Sequence, residues 1–210
     1  MKKYLKLFSS ITLTLILSVV FFHYFLQTAE AVTSGPNSCG NAQSTGPGVA
    51  WTATSSACSS DDNRATVALL VNQSSKTLRA TGFLFSIPST STINGILVEV
   101  EKSALNAVSA DVYDSIIRLT LGGATAGSNK ADTGTSWPDT DAYISYGGAT
   151  DLWGTTWTPT QISSSTFGVD VVAKIPVDEI DVNTARVDHI RITIYYSFAG
   201  VARQSEYWFD

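Results

Sequence analysis

The chain has 210 residues with 13 basic and 18 acidic side chains, and 44% of it is hydrophobic. It is therefore acidic overall, yet apolar enough to bury a core. No run of Lys or Arg occurs after residue 6, and contacts to phosphates need clustered cations. This balance argues against nucleic acid as a partner, and against an anionic membrane surface once a leader is removed.

Residues 1–31 have the pattern of a signal peptide. Lys2, Lys3 and Lys6 precede an almost wholly apolar stretch at 7–26, and the small residues of Ala29-Glu30-Ala31 follow it. This order predicts cleavage before Val32. About 20 apolar residues can also span a bilayer, so an uncleaved anchor is the alternative. The remaining chain suits one domain, and we expect it to be secreted, extracellular or at the cell surface.

The segment 32–63 is rich in Gly, Ser, Pro and Asn and contains both cysteines, Cys39 and Cys58. In an oxidising compartment two such cysteines are expected to pair. The segment therefore predicts an extended N-terminal arm, which a Cys39–Cys58 disulfide staples to a domain at 64–210.

From residue 64 the chain has short runs with strand periodicity, separated by turn residues. In the run 93–102, Ile96, Val98 and Val100 share one face, and Glu99 and Glu101 lie on the other. One helical turn is predicted after Thr158, with Pro159 in its first position. The predicted strands span 65–71, 78–87, 93–102, 111–121, 167–175 and 186–198, with a last edge strand at 201–209. The fold class is therefore all-β, a single antiparallel two-sheet sandwich of jelly-roll-like form.

A dense aromatic group lies between residues 137 and 157. Exposed rings could stack on sugars while loop carboxylates and amides contact the hydroxyls. Alternatively the rings form a small core under a long loop, and Gly147, Gly148 and Gly154 favour this interpretation because glycine allows tight folding. The group consists of Trp137, Tyr143, Tyr146, Trp153 and Trp157.

Two acidic loops are candidates for a calcium site. They contain Asp61 and Asp62 in one case and Asp139 and Asp141 in the other. Loop carboxylates are the ligands that calcium prefers, but ordinary Asx turns explain the same residues. No other cofactor is predicted.

Candidate catalytic residues are few. Glu99 and Glu101 could act as a glycosidase carboxylate pair, but solvated charges on a wet strand face are the far more common explanation. His189 is the one histidine after the leader, and the alternation of 186–198 predicts that it is exposed. No Gly-x-Ser-x-Gly or His-Glu-x-x-His is present, so no catalytic residue is predicted.

The aromatic residues Tyr207, Trp208 and Phe209 lie near the C-terminus. Adjacent aromatic side chains are hard to leave in water. They are expected to dock on their own sheet or to fit a neighbouring subunit by strand addition, so they are the candidate assembly residues.

A set of short motifs runs from residue 83 to 196. They are Phe83-x-Phe85-x-Ile87-Pro88, Ile93-Asn94-Gly95-Ile96-x-Val98, Tyr146-Gly147-Gly148 with Asp151-Leu152-Trp153-Gly154, Phe167-Gly168-Val169, and Val187-Asp188-x-Ile190-x-Ile192-x-Ile194-Tyr195-Tyr196. In this order the chain resembles uncharacterised β-sandwich domains of structural or appendage proteins of tailed phages and of secreted bacterial surface proteins. The resemblance covers about residues 64–198 and implies a structural or adhesive setting without catalytic residues. The leader favours the cellular, exported case.

The first hypothesis is therefore a secreted, non-enzymatic β-sandwich that acts as an extracellular structural or adhesive module and self-associates. The alternative is a carbohydrate-binding module that uses the aromatics of residues 137–157 to bind a surface glycan. A glycan-active enzyme is the third.

Overall fold

The structure is a computed structural model and describes residues 31–105, 111–178 and 181–198. Nearly all regular structure in these residues is β. The strands are β1 (Ala31–Ser38), β2 (Asn41–Thr45), β3 (Ala65–Leu69), β4 (Thr77–Thr81), β5 (Ser91–Ala104), β6 (Tyr113–Leu121), β7 (Ala124–Ala126), β8 (Ala142–Gly148), β9 (Gly168–Lys174) and β10 (Asn183–Phe198). A 3-10 helix (Thr54–Ala57) and one short α-helix, α1 (Pro159–Ile162), complete the list.

The pairing of strands is that of a rolled antiparallel ribbon. Strands β3 to β10 form four antiparallel pairs, β3–β10, β4–β9, β5–β8 and β6–β7. Rolling the ribbon brings β5 beside β10 and β6 beside β9. This nesting is the arrangement of an eight-stranded jelly roll, so the prediction of an antiparallel jelly-roll-like sandwich is confirmed. We call the sheet containing β10, β5 and β8 sheet A, and the sheet containing β4, β9 and β6 sheet B.

The core lies between the two sheets and follows the predicted alternation. Ile96, Val98 and Val100 of β5 are fully buried, as are Ile190, Ile192 and Ile194 of β10. Ile117 and Leu119 of β6 and Val169 and Val171 of β9 are buried on sheet B. Two facing apolar rows of this kind are what hold a sandwich together.

The predicted strand 78–87 is shorter in the structure than in the sequence pattern. Only Thr77–Thr81 pairs as a strand, because Gly82 has a left-handed φ of 76° and turns the chain. The alternating residues Phe83, Phe85 and Ile87 are nevertheless buried. Their periodicity therefore reflects burial against the core, and the hydrogen-bonded ladder ends before them.

The N-terminal segment is not an arm outside the sandwich. Residues of β1 pair with the second half of β10 in sheet A, and β2 pairs with β4 in sheet B. The Cys39–Cys58 disulfide, which the sequence predicted, lies where the chain leaves β1 for β2. The few apolar residues of this segment gave no strand signal, because both strands obtain their stability from hydrogen bonds to a sheet that already exists.

The helical turn at residue 159 is confirmed in detail. The Thr158 hydroxyl accepts a hydrogen bond from the Gln161 backbone N–H, and the Gln161 side chain accepts one from the Thr158 N–H. This is a reciprocal capping box, with Pro159 in the first turn.

Several predictions fall outside the described residues. They are the signal peptide at 1–31 apart from Ala31, the edge strand 201–209, and the assembly residues Tyr207, Trp208 and Phe209. Within the described part of the chain, no helix is long and apolar enough to cross a membrane.

We expect the double variant Cys39→Ser, Cys58→Ser to fold but to be less stable. The bridge closes a loop between residues 19 positions apart, and in the chain-entropy model such a loop stabilises by on the order of 3 kcal/mol. Urea unfolding should show a lower midpoint. Wild type measured in reducing agent is the control and should match the variant; equal stability of oxidised wild type and variant would contradict the prediction.

Candidate functional site

The outward face of sheet A carries a connected group of polar side chains. It consists of Glu99 and Glu101 of β5, Tyr143 of β8, and His189 and Arg191 of β10, and we call it the outer polar face. Tyr143 lies directly opposite Glu101 in the β5–β8 register. Because alternate strand residues share a face, these side chains converge without any loop to position them.

Arg191 is the centre of this face. Its Nε donates a hydrogen bond to Glu99 Oε2 at 2.9 Å, and its Nη2 donates one to Glu99 Oε1 at 3.0 Å. The guanidinium carbon also lies 3.9 Å from the Tyr143 ring centroid, a favourable cation–π distance. Glu101 accepts a hydrogen bond from the Ser60 hydroxyl at 2.8 Å. The two carboxylates proposed as a glycosidase pair therefore each have an internal partner.

His189 was predicted to be exposed, and this was wrong: it is 7% exposed. Its Nδ1 lies 2.7 Å from the Tyr143 hydroxyl and its Nε2 lies 2.8 Å from the Ser38 hydroxyl. Ser38 belongs to β1, and the backbone of Cys58 pairs with that of His189 in an isolated antiparallel β-bridge. The N-terminal segment thus covers a position that strand alternation alone leaves in solvent. Burial lowers the pKa of His189 below its usual 6.5.

The predicted sugar-stacking aromatics are mostly inside the protein. Trp137, Tyr146, Trp153 and Trp157 are all buried, and only Tyr143 is half-buried at the surface. A buried ring cannot stack on a sugar, so the prediction of an exposed aromatic row at 137–157 is wrong. The alternative, a small core beneath the loop, describes these rings. The Trp157 ring packs edge-on against Phe167 with centroids 5.4 Å apart.

Trp153 shows how that small core is built. Its side chain is fully buried, and its Nε1 donates to the Ile96 carbonyl at 3.0 Å. The Asp151 carboxylate accepts from the Trp153 backbone N–H at 2.7 Å. Gly147, with φ of 77°, leaves room for the indole: a Cβ there would lie 2.6 Å from Trp153 Nε1. The glycine therefore allows the ring to lie directly against the strand.

The two acidic loops proposed for calcium do lie close together, but their carboxylates bind the guanidinium group of Arg64. Arg64 donates from Nε to Asp141 Oδ2 at 2.6 Å, and it also donates to Asp62 Oδ1 at 2.9 Å. Asp61 accepts the Asn63 N–H in a local turn, and Asp139 uses its backbone carbonyl to accept from Arg186. Among the described residues, no three His, Cys, Asp or Glu side chains are grouped to hold a metal ion.

A second polar group lies inside the sandwich, and we call it the buried lysine cluster: Lys102, Asp114, Trp137 and Tyr146. Lys102 Nζ lies 2.5 Å from Asp114 Oδ1 and 2.5 Å from the Tyr146 hydroxyl. Tyr146 in turn donates to Asp114 Oδ2 at 2.7 Å, and Trp137 Nε1 donates to Oδ1 at 2.8 Å. Lys102 belongs to β5 and Asp114 to β6, so the cluster joins sheet A to sheet B.

The sequence contained a signal for one half of this cluster. Lys102 continues the inward row of Val98 and Val100 at the next even position, so alternation points it into the core. Asp114 carried no such signal, because the inward residues of β6 are Ile117 and Leu119, at odd positions. A register shift between Asp114 and Ile116 reverses the alternation and turns Asp114 inward.

Comparisons with known proteins do not place the chain in a family. No family model matches the chain, and no curated protein is similar to it. A solved structure described as "CBM4 structure and function" is similar over 72% of this chain and 91% of that chain, with 13% identity and a TM-score of 0.37. A likeness of this size carries no argument about fold or function.

The lowered pKa of His189 predicts loss of stability in mild acid. The unfolded chain takes up a proton near pH 6.5, whereas the folded chain resists it, so acid favours unfolding as the pH falls below that value. We expect the free energy of unfolding to fall between pH 7.5 and 5.5 in wild type and to fall less in His189→Gln. Urea titrations at the two pH values check this. Equal falls in the two proteins would show that His189 is not responsible.

Arg64, rather than calcium, is expected to stabilise the acidic loops. Burial by itself would raise the pKa of Asp141, but hydrogen bonds from Arg64 and Ser103 outweigh it and lower that pKa. Arg64→Gln should therefore destabilise the protein at neutral pH by about 1 kcal/mol. The difference should disappear as the pH falls through the lowered pKa of Asp141, below about pH 4. EDTA should leave the melting temperature of wild type unchanged, and a chelator-dependent drop would contradict this assignment.

Proposed function

We propose that this chain is a secreted, non-catalytic β-sandwich that serves as a structural or adhesive module at the cell surface. The observation that carries the proposal is the state of its polar side chains. Both nitrogens of His189, the carboxylates of Glu99 and Asp141, and the Lys102 ammonium are each bound to another group of the same chain. A group that acts on a substrate must be able to reach it, and these groups are instead turned toward partners of their own chain, where they stabilise the fold.

The disulfide and the ion pairs stabilise the folded chain, as expected of a structural module. The disulfide ties the crossing from β1 to β2 to the main sandwich, and a structural disulfide of this kind is typical of oxidising compartments outside the cytosol. Arg79 and Asp170 link β4 to β9 through two hydrogen bonds of 2.8 Å. The same kind of paired contact joins Arg191 and Glu99 across β10 and β5. Each sheet is therefore reinforced on its outer surface as well as in its core.

Glycan binding is the second candidate, and the outer polar face is the observation that favours it. Planar carboxylate and guanidinium groups can each make paired hydrogen bonds with neighbouring hydroxyls, and Tyr143 adds an aromatic edge beside them. These groups lie on rigid strands, so they are ordered before a ligand arrives. The residues concerned differ from the tryptophans that the sequence singled out.

The assembly state and glycan binding of the purified secreted chain test both functions. Light scattering across a concentration series should show defined oligomers or filaments if the module is structural. Retention on a glycan array that is lost in Tyr143→Ala, but kept in Tyr113→Ala of the other sheet, would instead favour the second candidate. A strict monomer that retains no glycan and does not adhere to cell-surface material would overturn both.

A further inference from the structure

The pair of Lys102 and Asp114 differs from the other ion pairs of the described residues. Lys102 is 3% exposed and Asp114 1% exposed, whereas every other pair has at least one partner whose side chain is more than a fifth exposed. Withdrawing two charges from water is costly, and their attraction only partly offsets it. Transfer of a proton from the ammonium to the carboxylate removes both charges and leaves an amine beside a carboxylic acid.

We propose that Lys102 and Asp114 form an intramolecular amide cross-link in the folded protein. Lys102 Nζ lies 2.5 Å from Asp114 Oδ1, so the amine is already in contact with the carboxyl group it would attack. Holding both groups in one place replaces a bimolecular collision with a single-molecule step, which is where much of the acceleration of such reactions arises. The product joins β5 of sheet A to β6 of sheet B through two side chains.

The neighbouring side chains supply the groups that the reaction needs. Nζ attacks the Asp114 carboxyl carbon, and the carbonyl oxygen that develops negative charge is Oδ1, which accepts from Trp137 Nε1 at 2.8 Å. The other oxygen, Oδ2, must leave as water. It accepts from the Tyr146 hydroxyl at 2.7 Å and from the Asp132 backbone N–H at 3.2 Å.

Tyr146 connects the nitrogen that loses a proton to the oxygen that gains one. Lys102 Nζ donates to the Tyr146 hydroxyl at 2.5 Å, and that hydroxyl donates to Oδ2. The step balances: Nζ gives up two protons, one by the initial transfer to the carboxylate and one through Tyr146, and both end on Oδ2. The carbon–nitrogen bond forms, the bond from the carboxyl carbon to Oδ2 breaks, and Oδ2 leaves as water. Burial raises the pKa of Tyr146, so the phenol is protonated and has a proton to relay. Burial lowers the pKa of Lys102, which favours the nucleophilic amine.

The surroundings exclude bulk water and leave a small space for the product. Lys102 Nζ lies 4.6 Å from the Trp137 ring centroid and 5.3 Å from that of Tyr146, so aromatic faces cover it. A cavity of about 40 Å³ beside the pair is bordered by Asp132, Thr135 and Pro138. That is room for about one water molecule. Asp132 and Thr135 are exposed, so the cavity opens to solvent on their side and the departing water has a way out.

Intact-mass measurement of the purified, reduced chain tests the cross-link directly. We expect a mass lower than that of the sequence by one water. Trypsin should no longer cut after Lys102, so residues 80–118 should appear as one peptide, also lighter by one water. This peptide separates an amide at Lys102 from dehydration of an aspartate to a succinimide, which leaves Lys102 cleavable.

Variants assign the roles of the cluster. Lys102→Arg and Asp114→Ala should each show the full mass of their sequence, whereas Asp114→Asn should still cross-link and lose ammonia in place of water. Tyr146→Phe, which removes only the relaying hydroxyl, should leave most molecules uncross-linked after purification. Lys130→Arg is the matched control, because Lys130 pairs with Asp151 at the surface, and it should lose water as wild type does. A wild-type chain of full mass that trypsin cuts after Lys102 would overturn the proposal.

Discussion

The contact between Lys102 and Asp114 is the constraint that fixes how the two sheets face each other. Most of the interface between them is made of aliphatic side chains, which tolerate small shifts because their attraction has no direction. A buried charge tolerates none, since an amine that loses its carboxylate is left unpaired in an apolar medium. Trp137 and Tyr146 then become part of the same constraint, because their polar atoms also need the Asp114 carboxylate. Strand β8 and the loop at 137 are thus tied to the β5–β6 contact.

The charged side chains on the outer surface are less constrained than the buried pair. There the charged side chains lie where water can reach them, and their pairings gain little from electrostatic attraction alone. Arg191 illustrates what they gain instead: one side chain contacts Glu99 on the next strand and lies over the Tyr143 ring. Such a flat, ordered group of donors and acceptors can bind a partner without rearrangement. The alternative of glycan binding depends on this face, whereas the proposed structural or adhesive role rests on the internal pairing of the polar groups and on the disulfide.

Irregular backbone positions buried side chains at two places. The register shift in β6 turns Asp114 into the core, and without it the aspartate would share the outer surface with Arg118. The left-handed Gly147 lets the Trp153 indole lie against β5 and closes the loop above the core. In both cases a local break in strand geometry places a side chain that regular alternation would place elsewhere. Such breaks depend on the partner strand as well as on the residue that carries them.

The sequence by itself determined the class of the fold. The alternation in 93–102 and 186–198, the Thr158 N-cap and the pair of cysteines are local signals. Strand period, helix capping and disulfide chemistry each act over a few residues or on a single pair. The tertiary structure alone decided which residues of those strands are accessible. His189 is covered by β1, Trp153 and Trp157 are turned inward, Asp62 and Asp141 meet on Arg64, and the polar segment 31–45 becomes an edge of both sheets. Each of these outcomes depends on contacts between residues far apart in the chain, and periodicity carries no information about such contacts.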